Sequence, residues 1–308
     1  SLQIHDYTEM NFPEMVIKGQ GQGLVELVDP YSYREKIDQP KLIVIGQNQI
    51  HMPYSEHGSL ETPNDNAQIW RYMGFSKFAW MLKTKQIHFH RVGDFSDPYE
   101  GTLPTAYEQL LEKSIEEQKE DIPRDHITDF LKAHEIPRGA AFVNSWHMND
   151  YESAAMWDLY GPEGKSIAIR STVGELKSAV GAIEKPIHLG SVSYVDFYSE
   201  WENLPPEDKY TLSDVLQDLS GNILAPAILK RKEFEHEDEV RLLFTDFDNL
   251  PKIDDKIALN TGVQPETDYY NHSINLSTLV DEIVVAPDSP SWIVPTIKEM
   301  VQDSDVAL

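Results

Sequence analysis

The sequence predicts an α+β fold in which a mixed, largely antiparallel central sheet is flanked by helices. Three observations point there. Short alternating or continuous apolar runs recur along the chain, as strands do. Helical patterns interleave with them, but without the strict strand–helix–strand rhythm of a doubly wound sheet. The 308 residues, 40% of them hydrophobic, suffice for one full core. The expected division is a loop-rich N-terminal extension over 1–66 and a main α+β domain over 67–308.

In the extension, Lys41 to Ile45 reads as a short buried strand. Gln47 to Asn66 is rich in Gln, Asn, His, Pro and Gly and reads as loop. In the main domain, Ile69 to Met73 reads as a strand. Phe75, Phe78, Ala79 and Leu82 then repeat at helical spacing. Gln86 to Val92 alternates like a strand and runs into a loop over Gly93 to Gly101. Helices are expected from Thr105 to Lys119 and from Asp125 to Ala133, with Asp125 as N-cap and Pro123 and Pro137 as brackets. Ala140 to Trp146 reads as a buried strand, and Tyr151 to Tyr160 as a helix stopped by Gly161 and Pro162. A strand over Lys165 to Arg170 and a helix over Val173 to Ile183 follow. Ile187 to Tyr198 looks like one long strand. Ile223 to Phe234 looks helical, with Pro226 in the first turn, where proline is tolerated. Asp238 to Phe244 alternates as a strand, Glu282 to Pro287 is another, and Ser291 caps a last helix from Trp292 to Val301.

The net charge is −26, from 52 acidic and 26 basic residues. Such a field repels phosphate backbones, which argues against broad nucleic-acid binding and serves solubility. There are no cysteines, so thiol nucleophiles, disulfides and Cys-ligated metals are excluded. No apolar run is long enough to span a membrane. Ser1 to Asp6 carries neither a basic region nor an apolar stretch, so no secretion signal is expected and the expected location is cytoplasmic. Gly19, Gly21 and Gly23 do not have the spacing of a phosphate-cradling loop.

The densest chemistry lies in Phe234 to Phe244. Glu237, Glu239 and Arg241 are expected on one strand face, with Asp238, Val240 and Leu242 on the other. Two carboxylates and a guanidinium on one face are solvated, paired or a site. Lys230, Arg231 and Lys232, just upstream, read either as a helix end complementing its dipole or as a cationic corner for a phosphate or carboxylate. Asp97-Pro98 favours a turn in which Asp97 caps backbone amides; alternatively the loop presents Asp97 and Glu100 to a cleft. Ser145 and His147 end a strand beside the aromatics Trp146, Trp157 and Tyr160, which serve a core or wall a small-molecule pocket. His88 and His90 share a strand face, but no third ligand accompanies them, and no metal is expected.

Several of these pieces, in order, resemble a bacterial family, domain-of-unknown-function family 2971. They are Trp70-Arg71-Tyr72, Phe95-Ser96-Asp97-Pro98-Tyr99-Glu100, Ser145 with Met156-Trp157-Asp158-Leu159-Tyr160, Lys230 with Phe234 and Glu237-Asp238-Glu239-Val240-Arg241, and Ile283 to Pro287. The resemblance spans about residues 68–300. Ser96 and Phe234 stand where Asn and Trp are usual. The resemblance implies a bacterial protein with a suspected role in phage defence and no assigned activity; residues 1–66 carry no resemblance.

Arg71, Ser145 and Glu237-Asp238-Glu239 also follow the Arg, Ser, Glu-x-Glu order of ADP-ribosyltransferases, although Ser145 lies in Asn-Ser-Trp and Ser171-Thr172 is a rival. That resemblance implies NAD as cofactor. Arg71 would grip the pyrophosphate, Glu239 would stabilise an oxocarbenium-like transition state, and Glu237 would position the acceptor. Tyr72, Trp146 or Tyr160 would stack on nicotinamide. The alternative is a non-catalytic ligand-binding or sensor module. There Arg71, Lys230 and Arg241 pair with Asp97, Glu100, Glu237 and Glu239 as a structural ionic network. A third reading is a metal-dependent nuclease using the same carboxylates. A nucleotide or other small molecule is the expected ligand; the protein partner is left open.

Overall fold

The computed structural model describes residues 24–25, 60–117, 136–160, 165–217, 224–250, 252–253, 256–258, 267–302 and 304. The expected strand at Lys41 to Ile45, the helix at Asp125 to Ala133 and the stop at Gly161-Pro162 lie outside these residues. So do the glycines at 19, 21 and 23.

In chain order the main elements are β1 (Gln68–Gly74), α1 (Phe75–Thr84), β2 (Gln86–Arg91), α2 (Thr105–Glu117), β3 (Ala141–Met148), α3 (Ala154–Tyr160), β4 (Ser166–Thr172), α4 (Val173–Ala179), β5 (His188–Ser191), β6 (Ser193–Val195), α5 (Pro206–Gln217), β7 (Leu229–Arg231), β8 (Glu239–Thr245), β9 (Tyr269–Ser273), α6 (Leu276–Leu279), β10 (Glu282–Val285) and α7 (Ile293–Gln302). Eight strands form one sheet in the order β9-β2-β3-β1-β4-β10, with β8 joining β3 and β5 joining β8. Every pairing in it is antiparallel. The α+β expectation holds. A parallel pair, β6 with β7, stands apart, as does a small sheet of Leu24–Val25, Lys256–Ala258 and Lys252–Ile253.

Alternation decides what each sheet face carries. Ile69, Phe89, Phe142, Trp146, Ile167, Val240, Leu242 and Phe244 fill one face, under α1, α4, α6 and α7. Each fully buried aliphatic or aromatic side chain contributes about 1.5–3 kcal/mol of transfer free energy. The other face carries Trp70 and Tyr72 beneath Met156 and Trp157 of α3, and Val143 and Leu243 beneath Leu224, Ala227 and Ile228. A satellite core of Leu103, Tyr107, Phe197, Leu212 and Leu229 lies with α2 and β7. Local signals set the joints. Lys85 adopts φ 53° after α1 and its N–H closes on Met81 O, so the chain reverses directly into β2. Thr172 and Glu175 form a reciprocal capping box that starts α4.

The sheet contains a fork. β3 gives one whole edge to β8, from Ala141↔Thr245 to His147↔Glu239. Its other edge is shared. β2 pairs only at its start, His90↔Val143 and Arg91↔Phe142. β1 pairs only at its end, Trp70↔His147 and Ile69↔Met148. β1 and β2 are therefore parallel, joined by α1 as a crossover, yet do not pair with each other. The arm β2-β9 and the arm β1-β4-β10 diverge, and the middle of β3 faces the gap.

Three expectations change. Ile223 to Phe234 is not a helix: its described part is a 3-10 turn over Ala225–Ala227, then β7, then a 3-10 helix over Lys232–Glu237. Tertiary pairing overrides a weak helical propensity here: Leu229↔Ser193 and Arg231↔Val195 hold β7 against β6, and Leu229 is fully buried. Ile187 to Tyr198 is not one strand; it breaks at Val192, leaving the large sheet as β5 and entering the parallel pair as β6. Asp238 is not in a strand. It takes φ 38° and closes the 3-10 helix, so β8 starts at Glu239.

Phe244 anchors the sheet centre, stacked on Phe142 at 5.4 Å and edge-on to Phe89 at 5.2 Å between ring centroids. Phe244→Ala is expected to destabilise the chain by about 3–5 kcal/mol, read as a lower urea midpoint. A loss under about 1 kcal/mol would show that these rings do not carry the core.

Candidate functional site

β8 turns Val240, Leu242 and Phe244 into the core, so Glu239 and Arg241 must face the other way. That side is also buried: Arg241 is 0% exposed. An unpaired guanidinium there would be prohibitively desolvated, and every arm of this one is used. Nη1 and Nη2 donate to the two Glu100 oxygens at 3.1 and 3.0 Å. Nη2 and Nε donate to Glu239 Oε2 at 2.6 and 3.1 Å, and Nη1 also reaches Ala227 O at 2.6 Å. Lys230, delivered by β7, donates to Glu237 Oε2 at 2.7 Å and Glu239 Oε2 at 3.3 Å, with Glu100 Oε1 at 3.4 Å. The Phe234 ring lies under its ammonium at 4.8 Å. Next to this cluster, Arg231 Nε donates to Asp97 Oδ2 at 3.0 Å while Asp97 Oδ1 accepts from Tyr99 N at 3.2 Å. Asp97 thus caps the turn and pairs a cation at once.

The titrations follow. Burial pushes the Glu239 carboxyl up, but Arg241 and Lys230 outweigh it and hold it below its ordinary value. Burial pulls Arg241 and Lys230 down, and the surrounding carboxylates raise both above their usual values.

In the gap of the fork lies a cavity of about 690 Å³, within the usual size range of small-molecule sites. Arg71, Tyr72, Ser145, Trp146, Tyr160 and Glu239 line it. Of the other residues singled out in the sequence, Glu100, Glu237, Lys230 and Arg241 lie in the ionic cluster with Glu239 and Asp97 lies beside it, all off the cavity wall. Trp157 is packed edge-on beneath Tyr72, ring centroids 4.9 Å apart, and does not reach the cavity. Glu239 alone belongs to both groups.

Arg71 differs from the buried cations Arg91, Lys230 and Arg241. Those three are all carboxylate-paired. Among the described residues Arg71 has no carboxylate partner. It lies over the Trp146 ring at 5.7 Å and makes one long contact, Nη1 to Ser145 O at 3.5 Å. Burial lowers its pKa to about 10, partly offset by Tyr160. His88 and Lys77 stand near it. Burial lowers the His88 pKa first; its contact with Asn271 raises it, and Arg71, His90 and Lys77 lower it again.

Sequence reasoning missed Lys77, Trp80, Asn144, Tyr269 and Asn271, all of which line the cavity. The first two lie on α1, where the periodicity assigns Trp80, with Met81, to a widened apolar face and gives Lys77 no role. Tyr269 and Asn271 sit on β9, opposite His90 and His88, a register that no local pattern discloses. His88 and His90, their rings stacked at 6.1 Å, also line the cavity. Among the described residues no group of three or more His, Asp or Glu side chains is arranged to hold a metal ion, and no helix is long and apolar enough to cross a membrane.

Comparison with known proteins corrects one assignment. The family model that matches is that of PhoPQ-activated pathogenicity-related protein, over residues 1–57, and not domain-of-unknown-function family 2971. The resemblance to the latter is withdrawn. Its short pieces have physical reasons of their own in burial, turn capping and ion pairing. The matched segment is less than a fifth of the chain and holds only Leu24 and Val25 among the described residues, so it does not place the chain in that family. It does supply a likeness for the N-terminal extension, where none was expected. No curated protein and no solved structure matches the chain.

Replacing Arg241 by Met strands Glu100 and Glu239 in the interior and is expected to destabilise by about 3–5 kcal/mol at pH 7. The sign with pH is fixed by Glu239. Its folded pKa is depressed, so its contribution is present above the ordinary carboxyl range and lost as pH falls through the folded value. In Arg241→Met, burial raises that pKa instead, so acid relieves the penalty. Urea titrations from pH 7 to pH 4 should show the gap between parent and variant narrowing; a gap that widens in acid would refute the assignment.

Proposed function

We propose that this chain binds an anionic, ring-bearing small molecule in the forked cavity, over an ionic network whose role is structural. The observation that carries this reading is Arg71, a guanidinium of lowered pKa on the cavity wall that pairs with no carboxylate among the described residues. An incoming carboxylate or phosphate would take the place of the missing partner, and a bidentate charge-assisted pair is the strongest hydrogen-bonding option open to it. Trp146, Tyr72 and Trp80 supply flat apolar surface for a ring. Lys77, also on the cavity wall, adds a second positive charge there in a chain whose net charge is −26. Glu100, Glu237 and Glu239 already pair with Lys230 and Arg241, which favours the binding reading over the nuclease one. We place the activity in the cytoplasm, on the cysteine-free composition. A role in phage defence rested on the withdrawn resemblance and is not taken further.

Calorimetric titration with phenyl phosphate and benzoate is the direct measurement. Arg71→Met should weaken binding by about tenfold or more while leaving thermal unfolding within a few degrees of the parent. Equal affinity in parent and variant would reject the reading.

A second reading has its own observation. Arg71, Ser145 and Glu239, the residues of the ADP-ribosyltransferase-like order, line one cavity with Trp146. Glu239 meets its cations through Oε2, so Oε1 is the oxygen a ribose would meet. On this reading NAD raises the melting temperature and is turned over, and Glu239→Gln abolishes turnover without unfolding the chain. Absence of any NAD-dependent thermal shift at millimolar ligand would rule it out.

A further inference from the structure

We infer that Ser145 is the docking edge for a planar ligand group that carries N–H and C=O side by side, an amide, lactam or imide edge. This inference rests on the anion-site reading above and specifies the chemistry at the other end of the same ligand.

The argument is one of strand parity. Within a strand, the N–H and C=O of one residue point to the same edge, and successive residues alternate. Glu239 O accepts from Val192 N at 2.9 Å and Glu239 N donates to Tyr194 Oη at 2.8 Å, so Glu239 faces away from β3. Arg241, two residues on, faces the same way, toward Gly190 of β5. Ser145, directly opposite Arg241 on β3, therefore turns its own N–H and C=O away from β8 and into the fork. Its neighbours of the same parity, Val143 and His147, do likewise and are met by His90 and Trp70. Ser145 lies between the two arms, and among the described residues neither β1 nor β2 pairs with it.

What remains there is a vacant pairing position. Among the described residues Ser145 O receives Arg71 Nη1 alone, at a long 3.5 Å. The hydroxyl is buried beside Glu239, near enough to help lower that carboxyl, yet closes no hydrogen bond of ordinary geometry. A ligand that covers these main-chain groups must itself pair with them. The surroundings are held in place: Asn144 Nδ2 donates to His88 O at 2.7 Å, and Trp146 Nε1 donates to Asn144 Oδ1 at 2.7 Å. A planar amide lying against Trp146 would give its N–H to Ser145 O and take the Ser145 N–H on its C=O, completing the bridge that neither strand makes. Its acidic end would reach Arg71.

The test uses one ring scaffold. 4-Carbamoylbenzoate and its N,N-dimethyl analogue carry the same carboxylate, but only the first has an amide N–H. Calorimetry on the parent chain should show the carbamoyl compound binding at least about tenfold more tightly, since a site built to hydrogen-bond rejects an analogue lacking the donor. The preference should survive Ser145→Ala, because the main chain carries it, and the Ser145 amide resonance should shift only with the carbamoyl compound. Equal affinity for the two compounds, with benzoate still bound through Arg71, would overturn the amide edge and leave the anion site standing. No binding of any carboxylate would overturn both. A preference that vanishes in Ser145→Ala would overturn the main-chain assignment.

Discussion

The Arg241 guanidinium, bound by Glu100 and Glu239 with no access to water, is the interaction on which the rest of this structure depends. It joins three segments that the sequence separates: the loop after β2, the turn before β7 and the central strand β8. None of the partners tolerates separation. A buried ion pair is costly to desolvate and strongly favourable only when its hydrogen bonds are complete; this one is completed by Ala227 O. Lys230 then compensates the surplus of carboxylates, delivered there by β7 as it pairs with β6.

The same cluster explains how a strongly acidic chain keeps a guanidinium free of carboxylates on the cavity wall. The cations that hold the fold are consumed by carboxylates at close range. Arg71 is not, so its field is not cancelled locally. A low-dielectric wall makes the difference larger than a surface count of charges suggests.

How much of this was legible follows from which features are local. The facing of Glu239 and Arg241 could be read from Val240, Leu242 and Phe244, because strand parity is a property of adjacent residues. The role of Glu237 could not. It reaches the cluster through a left-handed turn at Asp238 rather than through the alternation that seemed to place it. Lys230 was found as a cation but put on a helix, since Ile223 to Phe234 satisfies a helical pattern and β6, the strand that overrules it, is remote in sequence. Arg71 and Ser145 could be named by residue type, whereas their proximity depends on the register of three strands. Trp157 shows the converse: its size suggested a pocket wall and packing made it a support beneath Tyr72.

The fork changes what determines the width of the pocket. Neighbouring strands in a continuous sheet are held about 4.8 Å apart by their ladder of hydrogen bonds, a spacing that side chains cannot alter. Between β1 and β2 there is no ladder. Their separation is set by α1, ten residues and about 15 Å long, and by how Phe78, Met81 and Leu82 seat it on the sheet. The aperture is therefore an adjustable dimension of a rigid frame. The seat of α1 at Met81 and the ionic cluster around Arg241 are separate contacts, so the width of the gap and the foundation beneath it rest on different residues.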